Sequence, residues 1–329
     1  MFMKASQAMQ TVQSISPKNG FGKMLQQNKA FFLMLLPGAF LFFCFSYIPM
    51  AGSLIAFKRM KFYSNNIIIN FIQSPTVGFK NFEYFLNSPD AARVTFHTVG
   101  YNLIFIVLGL ICAVTLAIAL NELTHVRLKK LFQTTFLLPH FLSWVVVGYI
   151  VYAFLSPRTG VVNRVFLESM GIDGPNWYAE TGPWPFIFVF LSLWKTTGYT
   201  CVIYLAALSG IDQEYFEAAS IDGAGKWQQI RHILLPHLVP LMTILTILAV
   251  GKIFTGDFGL FFMTSAGLGM GPLKPVGDVL DTFVYSMMFN NHDLGMSAAA
   301  SLYQSVVGFV LVLGSNLLVS RINDENTLF

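Results

Sequence analysis

The chain has 329 residues, 55% of them apolar and only 11% charged, with a net charge of +4 and a mean hydropathy of +0.61. A soluble domain carries about 25% charged residues, so a water-facing surface cannot be built from this composition. The apolar content also excludes disorder, and the scattered Lys and Arg form no stripe that could track nucleic acid. The fold class expected is an all-α polytopic membrane protein.

Residues 1–29 are polar and basic, with Lys4, Lys18, Lys23 and Lys29 and no cleavable signal pattern, so the first span serves as its own targeting signal. A helix needs about 20 mostly apolar residues to cross a bilayer. Six stretches qualify in chain order: 30–57, 98–120, 131–157, 181–208, 232–254 and 294–320. Four contain no Asp, Glu, Lys or Arg; Lys195 and Lys252 are the only charges in the other two. Pro139 and His140 interrupt the start of 131–157, and Pro37, Pro49 and Pro240 sit near span ends or bends. Residues 30–320 therefore read as one six-span domain, between an amino-terminal tail and a short tail at 321–329.

An even number of spans puts both termini on one side. Lys29 and the three lysines before it, Arg127, Lys129, Lys130, Lys226, Arg231 and Arg321 lie on that side, ten basic residues against eight on the other. The short loops thus favour cytoplasmic termini, although Lys58, Arg59 and Lys61 oppose this. Tyr47, Trp144, Tyr149, Trp177 and Trp184 fall at span edges and suit an interfacial belt. The long segments 58–97, 155–184 and 255–293 then face outward, and the Gly/Pro-rich stretch 266–277 reads as an outer loop. Cys44, Cys112 and Cys201 sit inside apolar runs and read as small hydrophobes.

The segment 211–236, between spans four and five, is richer than a connector requires. Asp212 can cap a helix whose first turns carry Glu214 and Glu217. Gly223 stands where a positive-φ stop is expected. A second helix follows, with Trp227, Ile230, Ile233 and Leu234 on one face and Gln228, Gln229, Arg231 and His232 on the other, punctuated by Pro236. Taken alone, this reads as a solvated helical hairpin stabilised by ordinary capping. Gly223-Ala224-Gly225-Lys226 is not a phosphate loop, because Ser220 replaces the first Gly and Trp227 follows the Lys.

Glu217-Ala218-Ala219-Ser220-Ile221-Asp222-Gly223-Ala224, followed by Trp227, Ile233 and Leu235-Pro236, resembles the EAA motif of ABC importer permeases; Ile230 stands where an aromatic is common. Tyr47-Ile48-Pro49-Met50, Ile55-Ala56-Phe57-Lys58, Asp257-Phe258-Gly259-Leu260-Phe261, Asp278 to Tyr285 and Gln304 to Gly308 are similar to the LplB-like carbohydrate branch of that family. The resemblance implies the type I importer permease fold, six transmembrane helices with a cytoplasmic coupling-helix hairpin, in a bacterial inner membrane. It further implies a role for Glu217, Ala218, Ala219, Asp222, Gly223, Ala224, Trp227 and Pro236 in docking the ATPase. The partners implied are a second related permease, a cytoplasmic ATPase dimer that binds ATP and Mg, an extracytoplasmic solute-binding protein, an oligo- or polysaccharide substrate and membrane lipid. No cofactor and no catalytic or metal site is expected in this chain, which is not an enzyme.

Ionisable and polar residues within spans are functional candidates. Lys195, with Trp194, Thr196 and Tyr199, could line a sugar path; so could Tyr303, Gln304 and Asn316. The alternative for Lys195, which lies too deep for simple snorkelling, is pairing with a helix end. Interhelical hydrogen bonds would equally occupy Asn102, Gln304 and Asn316. Lys252 and Asp257 suggest a structural ion pair, and His140 a satisfied interior histidine. An ion-driven secondary transporter would need acidic groups in its spans, and none is present. A membrane enzyme would need carboxylates or metal ligands at one face, and Asp257, Asp278, Asp281 and Asp293 offer too few constraints. An ABC permease for a non-sugar solute stays open.

Overall fold

A computed structural model describes residues 28–265 and 271–322. Most of the basic tail, part of the 266–277 segment and most of the carboxyl-terminal tail lie outside them. The chain divides into two units, Met1–Leu54 and Ile55–Phe329.

In the first unit, α1 (Lys29–Phe42) passes through a π-helical turn, Phe43–Tyr47, into α2 (Ile48–Ala51). No residue of α1 is buried, and Phe31 and Met34 are among its exposed apolar side chains. A helix that is apolar on every side needs lipid or protein around it.

The second unit begins with an outer layer of short helices, α3 (Ile67–Gln73) and α4 (Lys80–Leu86), before the long α5 (Pro89–Asn121). Ser88 caps α5 by accepting from Ala91 N at 3.2 Å, and Pro89 occupies its first turn, where a missing N–H costs nothing. The helix starts nine residues before the apolar run and is about 50 Å long.

The run 131–157 is not one straight helix. α6 (Val126–Leu137) ends in a 3₁₀ turn, Leu138–Phe141, and α7 (Trp144–Leu155) leaves it at 98°. Pro139 cannot donate to the helical ladder. Leu142 and Ser143 are extended, and Ser143 Oγ restarts the helix by accepting from Val146 N.

α8 (Trp184–Leu208) lies along α5 in the broadest helix contact of the unit. It crosses α6 at Gly198, whose added Cβ would strike the Phe136 carbonyl. Then come α9 (Gln213–Ile221), α10 (Lys226–Gln229), a π-helical turn at Ile230–Leu234 and α11 (Leu235–Val250). Another π-helical turn, Gly259–Met263, and the short α12 (Lys274–Gly277) lead to α13 (Leu280–Phe289) and α14 (Leu294–Ile322). Residues 271–277 are thus structured by a 3₁₀ turn and α12, not an open loop. Among the described residues, five helical stretches are long and apolar enough to cross a membrane, and the bent α6–α7 pair makes a sixth if it counts as one.

Side-chain contacts sort the connections to two ends of α5. Near its start, Tyr101 Oη donates to Val276 O at 2.7 Å, Asn102 Nδ2 donates to Ile253 O at 2.9 Å, and Thr98 Oγ1 accepts from Leu280 N at 2.8 Å. At its far end, Glu122 pairs with Lys226 at 3.0 Å. Separate apolar clusters serve the two ends, one around Tyr101, Trp184 and Phe188, the other around Leu120, Tyr204, Leu205 and Leu234. Trp184 is fully buried and donates to Trp177 O, so it is a core residue rather than a belt anchor. Asp257 accepts from Trp144 Nε1 and Leu260 N, and the expected pair with Lys252 does not form. The geometry explains this: the chain turns after Gly251, and Trp144 at the start of α7 brings its indole to the carboxylate first.

Candidate functional site

The segment 211–236 folds as two short helices around a closed turn. Asp212 Oδ1 caps α9 by accepting from Glu214 N at 3.2 Å. Its far end closes with Gly223 N donating to Ser220 O at 3.1 Å and Ala224 N to Ala219 O at 2.8 Å. This crossed pair requires a left-handed residue between them, and Gly223 has φ +81°. A Cβ there would meet nothing within 4 Å, so glycine is needed for backbone conformation and not for space.

Beyond the turn, Gly225 N donates to Gln228 Oε1 at 2.7 Å. Gln229 is buried and donates through Nε2 to Ser220 Oγ at 3.0 Å and to the Ala224 carbonyl, stapling the second helix to the first. Phe216, Ile211 and Ile230 pack against the cluster shared by α5, α8 and α11. With the Lys226–Glu122 pair, the hairpin is tied to the end of α5.

The outer side of the hairpin is open. Ile221 is 87% exposed and Trp227 72%, and Glu217, Ala218, Asp222 and Gly223 are exposed beside them. The expected faces of the second helix are therefore exchanged at two positions: Trp227 is outside and Gln229 inside. The π-helical turn at Ile230–Leu234 adds a residue to the turn and shifts the phase. A regular 3.6-residue wheel cannot carry Trp227 and Leu234 on one face across it. Pro236 is exposed in the first turn of α11, where it leaves no donor unsatisfied.

Lys195 meets the break in the α6–α7 pair. Its Nζ donates to His140 O at 2.9 Å, to Pro139 O at 3.4 Å and to Leu142 O, and lies 5.2 Å from the centre of the Trp144 ring. Pro139 O also accepts from Leu142 N at 3.2 Å, and all three carbonyls lie where the helical ladder is interrupted; a cation is favoured at such an end. The contacts carry the helix-end reading of Lys195. His140 stacks on Tyr199 at 4.4 Å, and its Nδ1 and the Thr197 hydroxyl are buried without a hydrogen-bond partner. The spacing of residue types could not disclose these meetings across 55 residues of chain.

Thr196 and Tyr199 line a crevice of about 330 Å³ between α5, α8 and α11, together with Ser192, Thr200, Tyr204 and Thr246. The remaining pathway candidates are elsewhere. Tyr303 packs on Phe85 and Phe254, Gln304 donates to Asp281 Oδ2 at 3.1 Å, and Asn316 is buried in α14. Trp194 stands partly exposed outside the crevice.

At the end opposite the hairpin, Asp278 is buried between Arg93 at 3.3 Å and Lys274 at 3.9 Å, and accepts from Thr282 Oγ1 at 2.9 Å. Burial pushes its carboxyl above the ordinary value, against the pull of Thr282 and the two cations. Asp281 is raised for the same reason, although it accepts from Gly256 N. The sequence names both carboxylates but not their distant partners Arg93, Gly256 and Gln304, which lie 23 to 185 residues away. Among the described residues no group of three His, Cys, Asp or Glu is placed to hold a metal ion.

Residues 92–324 match the family described as "Binding-protein-dependent transport system inner membrane component". The chain is 33% identical to Protein LplB of Bacillus subtilis over 306 residues, covering 92% of each. It is 28% identical to the polygalacturonan/rhamnogalacturonan transport system permease protein YteP of the same organism, covering 92% of this chain and 91% of that one. Among solved structures, it is similar to a chain of a bacterial ABC transporter involved in the import of the acidic polysaccharide alginate. The TM-score there is 0.82 at 29% identity, covering 93% of this chain and 100% of the other. A chain of a bacterial alginate ABC transporter in complex with an alginate pentasaccharide-bound periplasmic protein gives a TM-score of 0.80 at 29% identity, covering 92% of this chain and 98% of that one. With more than half its length in that match, and apolar helices able to span a bilayer, the chain belongs to the family of inner membrane components of binding-protein-dependent transport systems.

Proposed function

We propose that this chain is one of two permease subunits of an ATP-driven importer of oligo- or polysaccharide, and that residues 211–236 receive the stroke of a cytoplasmic ATPase. The observation that carries the reading is the division of labour within the hairpin. Phe216 and Lys226 hold it to the transmembrane core and Gln229 staples its two helices together, while Glu217, Ile221 and Trp227 stand clear of it. Large exposed apolar residues on a rigid polar hairpin suit a protein contact. Ala218, Ala219, Asp222, Gly223, Ala224 and Pro236 serve this contact by keeping the surface low and the turn closed.

The chain itself binds no ATP and catalyses no reaction; the partner ATPase dimer holds ATP and Mg. Both termini lie in the cytoplasm, on the side of the hairpin. Six spans make half of a path wide enough for a sugar chain, so a related permease completes it, and an extracytoplasmic binding protein delivers the saccharide. Closure of the ATPase pair moves the hairpin and exchanges inward-open for outward-open packing of the spans. Thr196 and Tyr199, hydroxyl groups beside an aromatic stack, are the path-lining residues of this chain; Trp194, Tyr303, Gln304 and Asn316 support the walls. Similarity to relatives whose names specify pectic polymers and alginate supports a saccharide over other solutes.

The test is site-directed cross-linking in inverted and right-side-out vesicles. Cysteine at Ile221 or Trp227 is expected to cross-link to the ATPase and to react with impermeant maleimide only in inverted vesicles. Labelling from outside would refute the orientation and the docking role together. Uptake of labelled oligosaccharides by the reconstituted complex tests the substrate class, and ATP hydrolysis stimulated only by an amino acid or a metal ion would overturn it.

A further inference from the structure

One cavity lined largely with polar groups is not in the spans. It has a volume of about 460 Å³ and lies at the end opposite the hairpin, where the segment after residue 58, α4 and the start of α14 meet. Arg59, Lys80, Asn81, Tyr84, His292 and Asp293 contribute to its lining.

The charge in this cavity is unbalanced. Among the described residues, the ion pairs are those of Arg93, Lys226 and Lys274, so neither Arg59 nor Lys80 has a carboxylate within pairing distance. Glu83, one turn beyond Lys80, does not reach it. The cavity's own acid, Asp293, turns Oδ1 to Met296 N at 2.9 Å and caps α14, and its single charge leaves the two cations in excess. Asn81 is likewise committed, donating to Ala56 O at 2.7 Å and Lys58 O at 3.0 Å, which fixes the wall beneath Arg59. His292 has φ +55°, a left-handed conformation rare outside glycine, in a turn closed by Asn291 N on Ser286 O and Asp293 N on Met287 O. Such strain persists where surrounding structure enforces it and is concentrated at recognition sites.

We infer that this cavity is the socket for an acidic side chain of the extracytoplasmic solute-binding protein. Two unpaired cations in a concave polar site focus a field on an incoming carboxylate. The family is dependent on a binding protein, and the cavity sits on the face from which that protein must approach. A saccharide carboxylate is the less suited occupant, because the cavity shares no lining residue with the crevice between α5, α8 and α11. A solute held here would not be on the way to that crevice. The inference rests on the import reading above.

The test uses the full complex, with both permeases and both ATPases, in nanodiscs with and without phosphatidylglycerol. The probe is the saccharide-loaded binding protein that stimulates ATP hydrolysis by the wild-type complex; absence of any such stimulation would defeat the import reading rather than the socket. The double variant Arg59→Glu/Lys80→Glu is expected to raise the binding-protein concentration for half-maximal stimulation by about tenfold at low salt. The gap should narrow as salt screens the contact, and reversing one acidic residue of the binding protein to Lys should restore affinity to the variant. Arg158→Glu/Arg164→Glu, an equal charge change on two other exposed residues of the 155–184 segment, is the control. If the double variant assembles poorly, Arg59→Gln/Lys80→Gln serves instead, with a severalfold loss expected. Unchanged affinity in the variants overturns the socket. So does an equal loss in Arg158→Glu/Arg164→Glu, a defect seen only with phosphatidylglycerol, or lost uptake at normal binding-protein affinity, which would assign the cavity to the saccharide.

Discussion

Replacing Lys195 with Met separates a structural from a substrate-binding role at the break of the α6–α7 pair. The ammonium serves the carbonyls of Pro139, His140 and Leu142, and no other cation lies within reach of them among the described contacts. An unsatisfied buried polar group costs about 1–3 kcal/mol, and a cation at a helix carboxyl end contributes up to about 2 kcal/mol in a partly buried setting. The two effects overlap, because they describe the same oxygens, and some carbonyls would recruit water. A net loss of about 2–4 kcal/mol follows, without change in the volume of the side-chain stem. Lys195→Arg, which keeps the charge and adds donors in a planar fork, should lose less than half of that. The assay is the unfolding midpoint of the assembled complex in detergent, read beside saccharide-dependent ATP hydrolysis. A Met variant with unaltered stability but weakened saccharide dependence would refute the capping argument and return Lys195 to the path.

Three other outcomes follow from the geometry. Gly223→Ala should cost about 1–2 kcal/mol through its left-handed backbone alone, and Gly223→Asn less than Ala, because open space surrounds the site; the ratio of transport to ATP hydrolysis should fall in the same order, and a steric ranking with Asn worst would contradict this. Gln229→Leu removes the donor to Ser220 and Ala224 and should loosen the hairpin by about 1–2 kcal/mol, read as faster amide exchange over 213–229. Asp278 has a carboxyl pKa raised above its usual 3.8 by burial, so its ionised form weakens the fold above the raised value, and the penalty disappears as pH falls towards 3.8. Asp278→Asn, which leaves Arg93 its pair with Asp90 at 2.5 Å, should therefore gain stability over the parent at neutral pH and lose that gain in acid; a gain that grows in acid would reverse the sign of the argument.

What the sequence disclosed was what neighbouring residues decide among themselves. The cap at Asp212, the glycine stop at Gly223 and the apolar runs are local features, and each is found in the folded chain. The exchange of Trp227 for Gln229 was hidden because a π-helical turn has no composition signal, and one inserted residue turns every later side chain by about 100°. The 98° bend was half visible, since Pro139 marks the interruption but nothing local fixes the direction of the second helix. The long-range partners of Lys195, Asp257 and Asp278, namely His140, Trp144 and Arg93, were not visible at all. Each bond joins segments more than 50 residues apart, and many pairings of that length are compatible with one hydropathy pattern.

The same helix pair connects the two faces. On the proposed reading, force enters at Glu217, Ile221 and Trp227, and the tether of Lys226 to Glu122 passes it to the end of α5. α5 carries no Gly or Pro between Leu110 and Asn121, a stretch packed against α8 through Ala113, Val114 and Ala117 on one side and Cys201 and Tyr204 on the other. A close-packed apolar seam of this kind shifts as a body rather than deforming continuously. At its other end α5 holds the 253–280 segment by hydrogen bonds from Tyr101, Asn102 and Thr98. Displacement of the hairpin must then either move that outer segment or break those bonds. The α6–α7 pair differs, because the hold of Lys195 and Gly198 on it is concentrated around residues 136–142. On the same reading, a change in packing between open-in and open-out arrangements that leaves α5 and α8 in register must either keep the Lys195 contacts at the bend or break them together.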